Sequence, residues 1–273
     1  MKMYEKKVSV IMGVYNQWSE SILGEAVNSI LNQTLEDFEF IIYDDGSDSK
    51  AAGYIRSLEA LDDRIVLIGA EENHGLAFSL NACIGRAKGK YIARMDADDI
   101  SLPQRLQVQV DFLENHPEYM WCGTNAEVFD ENGIWGKRCM PEIPKKEDYL
   151  RFSPYIHPTV MYRASVFEEN EGYYKVSKET LRCEDYEIFM RLRQVGYQGY
   201  NIQQDLFRYR EDKDSYKRRK FKFRVNEAKI RYRNFKNMHI LWPVGWLYVL
   251  RPIIAGFLPN KFISWIKHGG KKK

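Results

Sequence analysis

Three carboxylates, Asp96, Asp98 and Asp99, close the stretch Tyr91-Ile92-Ala93-Arg94-Met95-Asp96-Ala97-Asp98-Asp99. Its first half reads as a short strand. Like charges this close repel, so the segment folds readily only if something positive sits among them. Oxygen-only ligands suit a hard cation such as Mg²⁺ or Mn²⁺. Mg²⁺ takes one or two carboxylates and fills its other positions with water and substrate phosphate. The pattern predicts a metal-diphosphate site at the end of a buried strand. The plainer alternative is an acidic turn in which Asp98 or Asp99 caps a helix starting near Ser101-Leu102-Pro103.

The elements before this stretch decide where it lies. Val8 to Val14 is a short apolar run, a buried strand that turns out at Tyr15-Asn16-Gln17. Ile22, Ala26, Val27, Ile30 and Leu31 recur at helical spacing. Phe38 to Tyr43 reads as a strand ending at Asp44-Asp45-Gly46-Ser47. A helix over Tyr54 to Leu61, a strand over Arg64 to Ile68, and a helix bearing Leu76, Leu80, Ile84 and Ala87 follow. Strands alternating with amphipathic helices predict a mainly parallel sheet covered on both faces. Ligands of such sheets bind beyond the carboxyl ends of the strands. Tyr15-Asn16, Asp44-Asp45 and Asp96 to Asp99 all fall there and converge on one crevice. No Gly-x-Gly-x-x-Gly follows a strand, and Gly85 to Lys90 is one residue short of a P-loop and lacks its Ser/Thr.

Further along, Leu106, Val110 and Leu113 continue a helix that stops at His116-Pro117. Tyr119 to Tyr155 reads as strands and loops, and Ile156 to Met161 as a strand-like run. Glu184 and Asp185 stand in the first turn of a helix marked by Ile188, Phe189, Leu192 and Val195.

An apolar content of 44% and a charged content of 29% are those of a globular protein with a sizeable core. Cys83, Cys122, Cys139 and Cys183 form no Cys-x-x-Cys and no metal spacing, which predicts buried thiols in a reducing, cytosolic setting. The N-terminus has no signal-peptide apolar region. Net charge is +3 but unevenly spread. From Asn201 onward there are 19 Lys/Arg against 5 Asp/Glu, whereas the first 200 residues hold 22 basic and 33 acidic groups. An acidic catalytic body and a basic tail that meets something anionic fit that asymmetry. Lys213 to Lys236 is basic and helix-compatible. Ile240 to Ile266 is apolar, with Trp242, Trp246, Tyr248, Phe257, Phe262 and Trp265, but Pro243, Arg251, Pro252, Pro259 and Lys261 interrupt any span of ~20 apolar residues. Tryptophans flanked by cations suit an interfacial membrane anchor. The alternative is a helical pair packed on the body or at a homodimer interface.

Val8-Ser-Val-Ile-Met-x-Val-Tyr-Asn16, Asn32-Gln33-Thr34, Asp44-Asp45-Gly46-Ser47, Asn73-x-Gly75-Leu76, Asn81, Gly89-Lys90-Tyr91-Ile92, Asp96-Ala97-Asp98-Asp99 and Glu184-Asp185-Tyr186 resemble, in that order, the family 2 glycosyltransferases. The resemblance covers roughly residues 8 to 210. It implies an α/β GT-A fold: a Rossmann-like nucleotide-binding half, about 1–100, merged with an acceptor half, 101–210. Residues 211–273 would form a C-terminal helical appendage that associates with the membrane. The reaction implied is inverting transfer from a nucleotide-sugar, most often UDP-linked. Tyr15 would stack on the base with the Val14 backbone alongside. Asp45 or Asp44 would bond the uracil, and Asp96 would face the ribose and diphosphate. Asp98 would ligate Mn²⁺ or Mg²⁺, and Asp185 would be the catalytic base, with Glu184 its alternative. Leu80 stands where many members carry Arg, which puts that donor contact in doubt. No Gln-x-x-Arg-Trp motif of processive synthases is present, which argues for single-sugar transfer to a glycan or lipid-linked acceptor at the cytoplasmic face of the membrane.

Each role has a structural rival. Glu184 and Asp185 could simply complement a helix dipole. Tyr15 could be a core aromatic, and Asp44 to Ser47 a turn with a helix cap. His157 could be a loop histidine or stand beside the acceptor or metal, and His74 reads as a loop residue. Tyr209-Arg210 and Lys217 to Lys220 could close over a diphosphate or form a solvated face. A nucleic-acid-binding protein using the basic tail is the alternative of another class, but the tail matches no nucleic-acid module. A nucleotidyltransferase would open with a Gly-rich turn that Gly13-Val14-Tyr15-Asn16 does not provide.

Overall fold

The computed structural model describes residues 3–168, 172–211 and 220–257. Chain order through the first hundred residues is β1 (Lys6–Val14), α1 (Glu25–Leu31), β2 (Phe38–Asp45), α2 (Ser49–Ser57), β3 (Ile65–Ala70), α3 (Leu76–Arg86) and β4 (Gly89–Arg94). The four strands run parallel in the order β3-β2-β1-β4. Period 2 sorts β1 between two helical layers. Val8, Val10, Met12 and Val14 share a core with Leu23, Ala26, Val27 and Ile30. On the other face, a Cβ at Gly13 would lie 3.0 Å from Ser79 Cβ, so α3 packs close against the sheet there.

Then come β5 (Ile100–Ser101), α4 (Arg105–Asn115), β6 (Trp121–Asp130), β7 (Gly133–Arg138), α5 (Asp148–Arg151), β8 (Met161–Arg163), α6 (Ser165–Glu168), α7 (Glu184–Gln194) and β9 (Gly199–Arg210). The sheet continues from β4 as β8-β6-β9-β5, with β7 paired to β6. Only β6 and β9 are parallel here, and the other pairs are antiparallel. The expected α/β sheet is therefore parallel in its first half and mixed in its second.

Several boundaries differ from expectation for local reasons. Helix α2 starts at Ser49, ahead of Tyr54, because the Asp48 side chain accepts from Lys50 N (3.1 Å) and Ala51 N (2.9 Å). Neither Asp98 nor Asp99 caps a helix. α4 begins at Arg105 with Gln104 in the capping position and no side-chain cap. Ile156 to Met161 is not one strand: His157–Thr159 forms a 3₁₀ turn around Pro158, and β8 begins only at Met161. Strand β9 carries no clear sequence signal, because Gln203-Gln204-Asp205 interrupts its apolar alternation where its register with β6 shifts. Cys83, Cys122 and Cys183 are buried, but Cys139 is exposed.

The chain divides into two compact units. One comprises 1–144, 154–174 and 196–211 and holds all nine strands found among the described residues. The other comprises 145–153, 175–195 and 212–273 and holds α5, α7, α8 (Phe221–Asn237) and α9 (Trp246–Phe257). Helix α7, with Glu184 and Asp185, thus groups with the tail. Gln194 Nε2 donates to Asn234 Oδ1 (2.7 Å) between α7 and α8. Helices α8 and α9 form an antiparallel hairpin, since Tyr232 meets Trp246 and Phe221 meets Phe257. Among the described residues no helix is long and apolar enough to cross a membrane. Residues 213–219 and 258–266 of the anticipated tail segments lie outside the described residues.

One buried side chain ties the site's flank to the sheet. Gln33 Nε2 donates to Ser29 O (2.9 Å), Ser101 Oγ (3.1 Å) and Leu102 O (2.9 Å), and its Oε1 accepts from Leu106 N (3.0 Å). Gln33→Leu strands these partners away from water. It should lower unfolding free energy by about 1–3 kcal/mol, read as a lower urea midpoint at unchanged m-value.

Candidate active site

The ends of β1 and β2 form a shelf. Val14, the last residue of β1, pairs in register with Asp44. Tyr15 follows with 53% of its surface exposed, so it is not a core aromatic. Asn16 adopts a left-handed φ of 52°, which Asn tolerates better than most residues. Its N–H donates to Ser47 Oγ (2.9 Å) and its Oδ1 accepts from Asp48 N (2.8 Å), clipping the two loops together. Gly46 has φ 70°, and a Cβ there would lie 2.4 Å from the backbone carbon of Glu72.

The two aspartates of this turn have different surroundings. Asp45 is buried, and its carboxylate accepts from Asn73 Nδ2 (2.9 Å), His74 N (3.0 Å) and Gly75 N (2.8 Å). That carboxylate anchors the 73–75 loop. Asp44 is half-buried, and its Oδ1 accepts from Ser47 N (3.0 Å). His74 is the loop residue expected, stacked on Phe78.

At the end of β4, ligand atoms of Asp96, Asp98 and Asp99 all lie within 4.8 Å of one another. The positive charge such a cluster needs comes partly from the chain. Buried Arg94 pairs through Nη1 with Asp96. Arg210, at the end of β9, donates from its backbone N–H to Asp99 Oδ1 (2.7 Å) and from Nε to Asp98 O (2.7 Å), and its Nη2 lies 3.4 Å from Glu25 Oε2. Of the two alternatives the sequence leaves for Arg210, closing over a diphosphate or a solvated face, neither describes its contacts here, which hold the acidic loop. Lys217 to Arg219 lie outside the described residues.

These surroundings grade the three acids. Asp99 is buried, and desolvation followed by repulsion from Asp96 and Asp98 raises its pKa well above the carboxylate range. Asp98 is exposed in part, yet the protein packed around its carboxylate and the neighbouring Asp96 push its pKa up to about 6, against the pull of Arg94 and Arg210. Asp99 Oδ2 is buried with no hydrogen-bond partner. An all-oxygen donor set with an orphaned oxygen fits Mn²⁺ or Mg²⁺.

Behind this cluster, His157 Nε2 lies 2.7 Å from Tyr174 Oη. The Asn81 side chain clamps Tyr174 by accepting from its N (2.9 Å) and donating to its O (2.8 Å). Burial first, then Arg94, holds the His157 pKa well below its usual value, so the imidazole is neutral. In the other unit, Glu184 and Asp185 are half-buried in the first turn of α7. Burial raises the Glu184 pKa. Glu187 in the same turn is structural, buried between Lys175 (3.1 Å) and Arg191 (3.2 Å).

A parallel half-sheet with carboxylates at its strand ends, continued by a mixed half, is the GT-A architecture. Residues 9–170 match Glycosyl transferase family 2, and the chain belongs to that family. It is 40% identical over 255 residues to EpsE of Bacillus subtilis (strain 168), covering 93% of this chain and 90% of that one. It is 28% identical over 270 residues to the UDP-Gal:alpha-D-GlcNAc-diphosphoundecaprenol beta-1,3-galactosyltransferase of Escherichia coli, covering 95% and 94%. The fold superposes on S. aureus TarS 1-349 in complex with UDP-GlcNAc with a TM-score of 0.70 at 16% identity, covering 96% of this chain and 79% of that one.

The acidic cluster has a signed pH consequence. A carboxyl whose pKa is raised on folding binds more protons in the native state. Stability of the metal-free protein therefore falls as pH rises from the unfolded value of about 4 through about 6. A divalent cation opposes this fall. Mn²⁺ should raise the melting temperature more at pH 7.5 than at pH 5, and Asp98→Asn should flatten that difference. Arg94→Met leaves Asp96 uncompensated beside Asp98 and Asp99. It should cost about 3–5 kcal/mol in chemical denaturation.

Proposed function

We propose that the protein transfers one sugar, with inversion, from a UDP-sugar to a hydroxyl of a glycan or lipid-linked acceptor, working peripherally at the cytoplasmic face of a membrane. The acidic cluster at the end of β4, balanced by Arg94 and Arg210, carries this reading. UDP-GlcNAc in the TarS complex and the diphosphoundecaprenol-linked acceptor in the E. coli enzyme's name support the donor and acceptor classes. The GT-A domain is taken as 1–210, with its nucleotide half about 1–100, and the membrane-associating region as 211–273.

In this reading the exposed Tyr15 ring stacks on the base beside the Val14 backbone. Asp44 bonds the uracil, because the Asp45 carboxylate is committed to the 73–75 loop. Asp96, oriented by Arg94, faces the ribose and diphosphate. Asp98 and Asp99 offer the oxygens for Mn²⁺ or Mg²⁺, with Asp98 the principal ligand. The cation, when bound, neutralises charge developing on the leaving nucleoside diphosphate. Asp185 takes the proton from the acceptor hydroxyl as it attacks the anomeric carbon. With the leaving group served without a protonated acid, one carboxylate suffices, unlike the pair a glycoside hydrolase needs. A single displacement inverts the anomeric centre. His157, held neutral, supports Tyr174 and carries no charge in the reaction.

The test is one set of measurements on two variants. UDP with Mn²⁺ should raise the melting temperature of the wild type, as any ligand of the native state must. Asp98→Asn should abolish that shift and the transfer while remaining folded. Asp185→Asn should keep UDP-sugar affinity and lose transfer by roughly 10²–10⁴-fold. If Asp185 only complements the helix dipole, the variant instead loses about 1 kcal/mol or less of stability and keeps its turnover. Wild-type turnover insensitive to EDTA would count against the metal.

A further inference from the structure

The α8–α9 hairpin has an outer surface that a water-facing helix pair does not need. On α9, Gly245 at its entry, Val249 and Pro252 are buried. At about 100° per residue these three share one face. The opposite arc carries Trp246, Leu247, Leu250, Ile254 and Phe257, all exposed, Leu247 at 69% and Phe257 at 77%. Trp242, just before the helix, is 80% exposed. Helix α9 is thus apolar on its packed side and over most of its free side, where Arg251 is exposed and donates to Arg151 O (3.2 Å). An amphipathic surface helix of a globular protein has a polar outer face instead.

Helix α8 completes the surface. Its packed face holds Ala228, Ile230, Arg231, Asn234 and Phe235. Lys222, Lys229, Arg233 and Lys236 are exposed and form one stripe along it. Exposed Phe221 and Tyr232 border α9, Phe221 against Phe257 (5.2 Å) and Tyr232 against Trp246 (5.3 Å). Residues 221–257 contain seven Lys/Arg and one carboxylate. That carboxylate, Glu227, is buried and paired with Arg231 (2.9 Å). An apolar arc, an aromatic border and a basic stripe lie side by side, and within the stripe Arg233 pairs with Glu179 (3.0 Å).

We propose that this hairpin docks flat on an anionic phospholipid bilayer. The α9 arc enters the headgroup–acyl boundary, Trp242, Trp246, Phe221 and Tyr232 sit at the polar interface, and the α8 stripe meets lipid phosphates. Helix α9 is about 18 Å long, short of the ~30 Å hydrocarbon core, so it lies in the plane. A nucleic acid would use the stripe but leave the aliphatic arc in water. The proposal locates the membrane contact of the function proposed above and does not depend on the sugar chemistry.

The test is flotation of the full chain with phosphatidylcholine vesicles and with vesicles containing phosphatidylglycerol. Binding should favour the anionic vesicles and weaken with salt. Leu250→Glu with Ile254→Glu should reduce partitioning at least tenfold. Lys222→Gln, Lys229→Gln and Lys236→Gln should each weaken it roughly fivefold on anionic vesicles. All sites are exposed, so melting temperatures should hold. Transfer to a water-soluble acceptor should be unchanged in every variant. No wild-type binding, or binding indifferent to these substitutions, overturns the proposal. So does a wild-type dimer that the double variant converts to a monomer without affecting vesicles, because a second copy then covers the arc. A lower melting temperature in the double variant with vesicle binding intact also overturns it, placing residues 258–273 over the arc. Failure of wild-type transfer with any nucleotide-sugar overturns the enzymatic reading and leaves the docking result standing.

Discussion

A buried guanidinium beside three carboxylates is the constraint around which the site is arranged. Arg94 is fully buried, and a second buried arginine, Arg105, stands next to it, donating from Nη2 to Arg94 O (2.7 Å) and from Nε to Gln109 Oε1 (3.0 Å). Burial pushes the Arg105 pKa down to about 9. Two cations in so dry a place are tolerated only with anions at hand, and Asp96 is the nearest to Arg94. The dependence also runs the other way. Arg94 and Arg210 offset the mutual repulsion of Asp96, Asp98 and Asp99. The same charge balance that keeps the end of β4 folded leaves Asp99 Oδ2 buried with no hydrogen-bond partner.

That balance also explains the position of β9. The strand enters the sheet between β6 and β5 and ends at Arg210, whose backbone and side chain both hold the acidic loop. A residue more than a hundred positions from Asp98 in sequence thus fixes the loop from outside the parallel half. Gln33 does comparable work from the end of α1, through Ser101, Leu102 and Leu106. The acids are local in sequence, but what holds them is not.

This separation sets what was legible beforehand. The parallel strands and their helices were readable because each strand is a continuous apolar run and each helix has one apolar face. The acidic cluster was readable because three carboxylates in close succession demand a counter-charge. That demand pointed to a metal, and part of the answer lay two residues upstream in Arg94, inside what looked like an ordinary strand. Strand β9 escaped notice because its bulged register breaks the period on which strand reading depends. The unequal duties of Asp44 and Asp45 could not be told apart in sequence, since the donors that occupy Asp45 come from a loop almost thirty residues later. Cys139 follows β7 and stays exposed, which residue type alone did not foretell.

The helix carrying Glu184 and Asp185 belongs to the same compact unit as α8 and α9, and the chain passes between the two units five times. No single cut in the sequence separates them. Through Gln194 and Asn234, and through Arg231, which donates to Leu150 O (2.6 Å) and lies over the Tyr186 ring (4.9 Å), α7 shares its packing with the hairpin. Whatever binds the native hairpin adds its binding free energy to the cost of opening that unit. Order in α7 strengthens such binding by the same amount, because linkage is reciprocal. The tail is thus a handle on the rigidity of α7, and an occupied hairpin and a well-ordered α7 are two readings of one equilibrium.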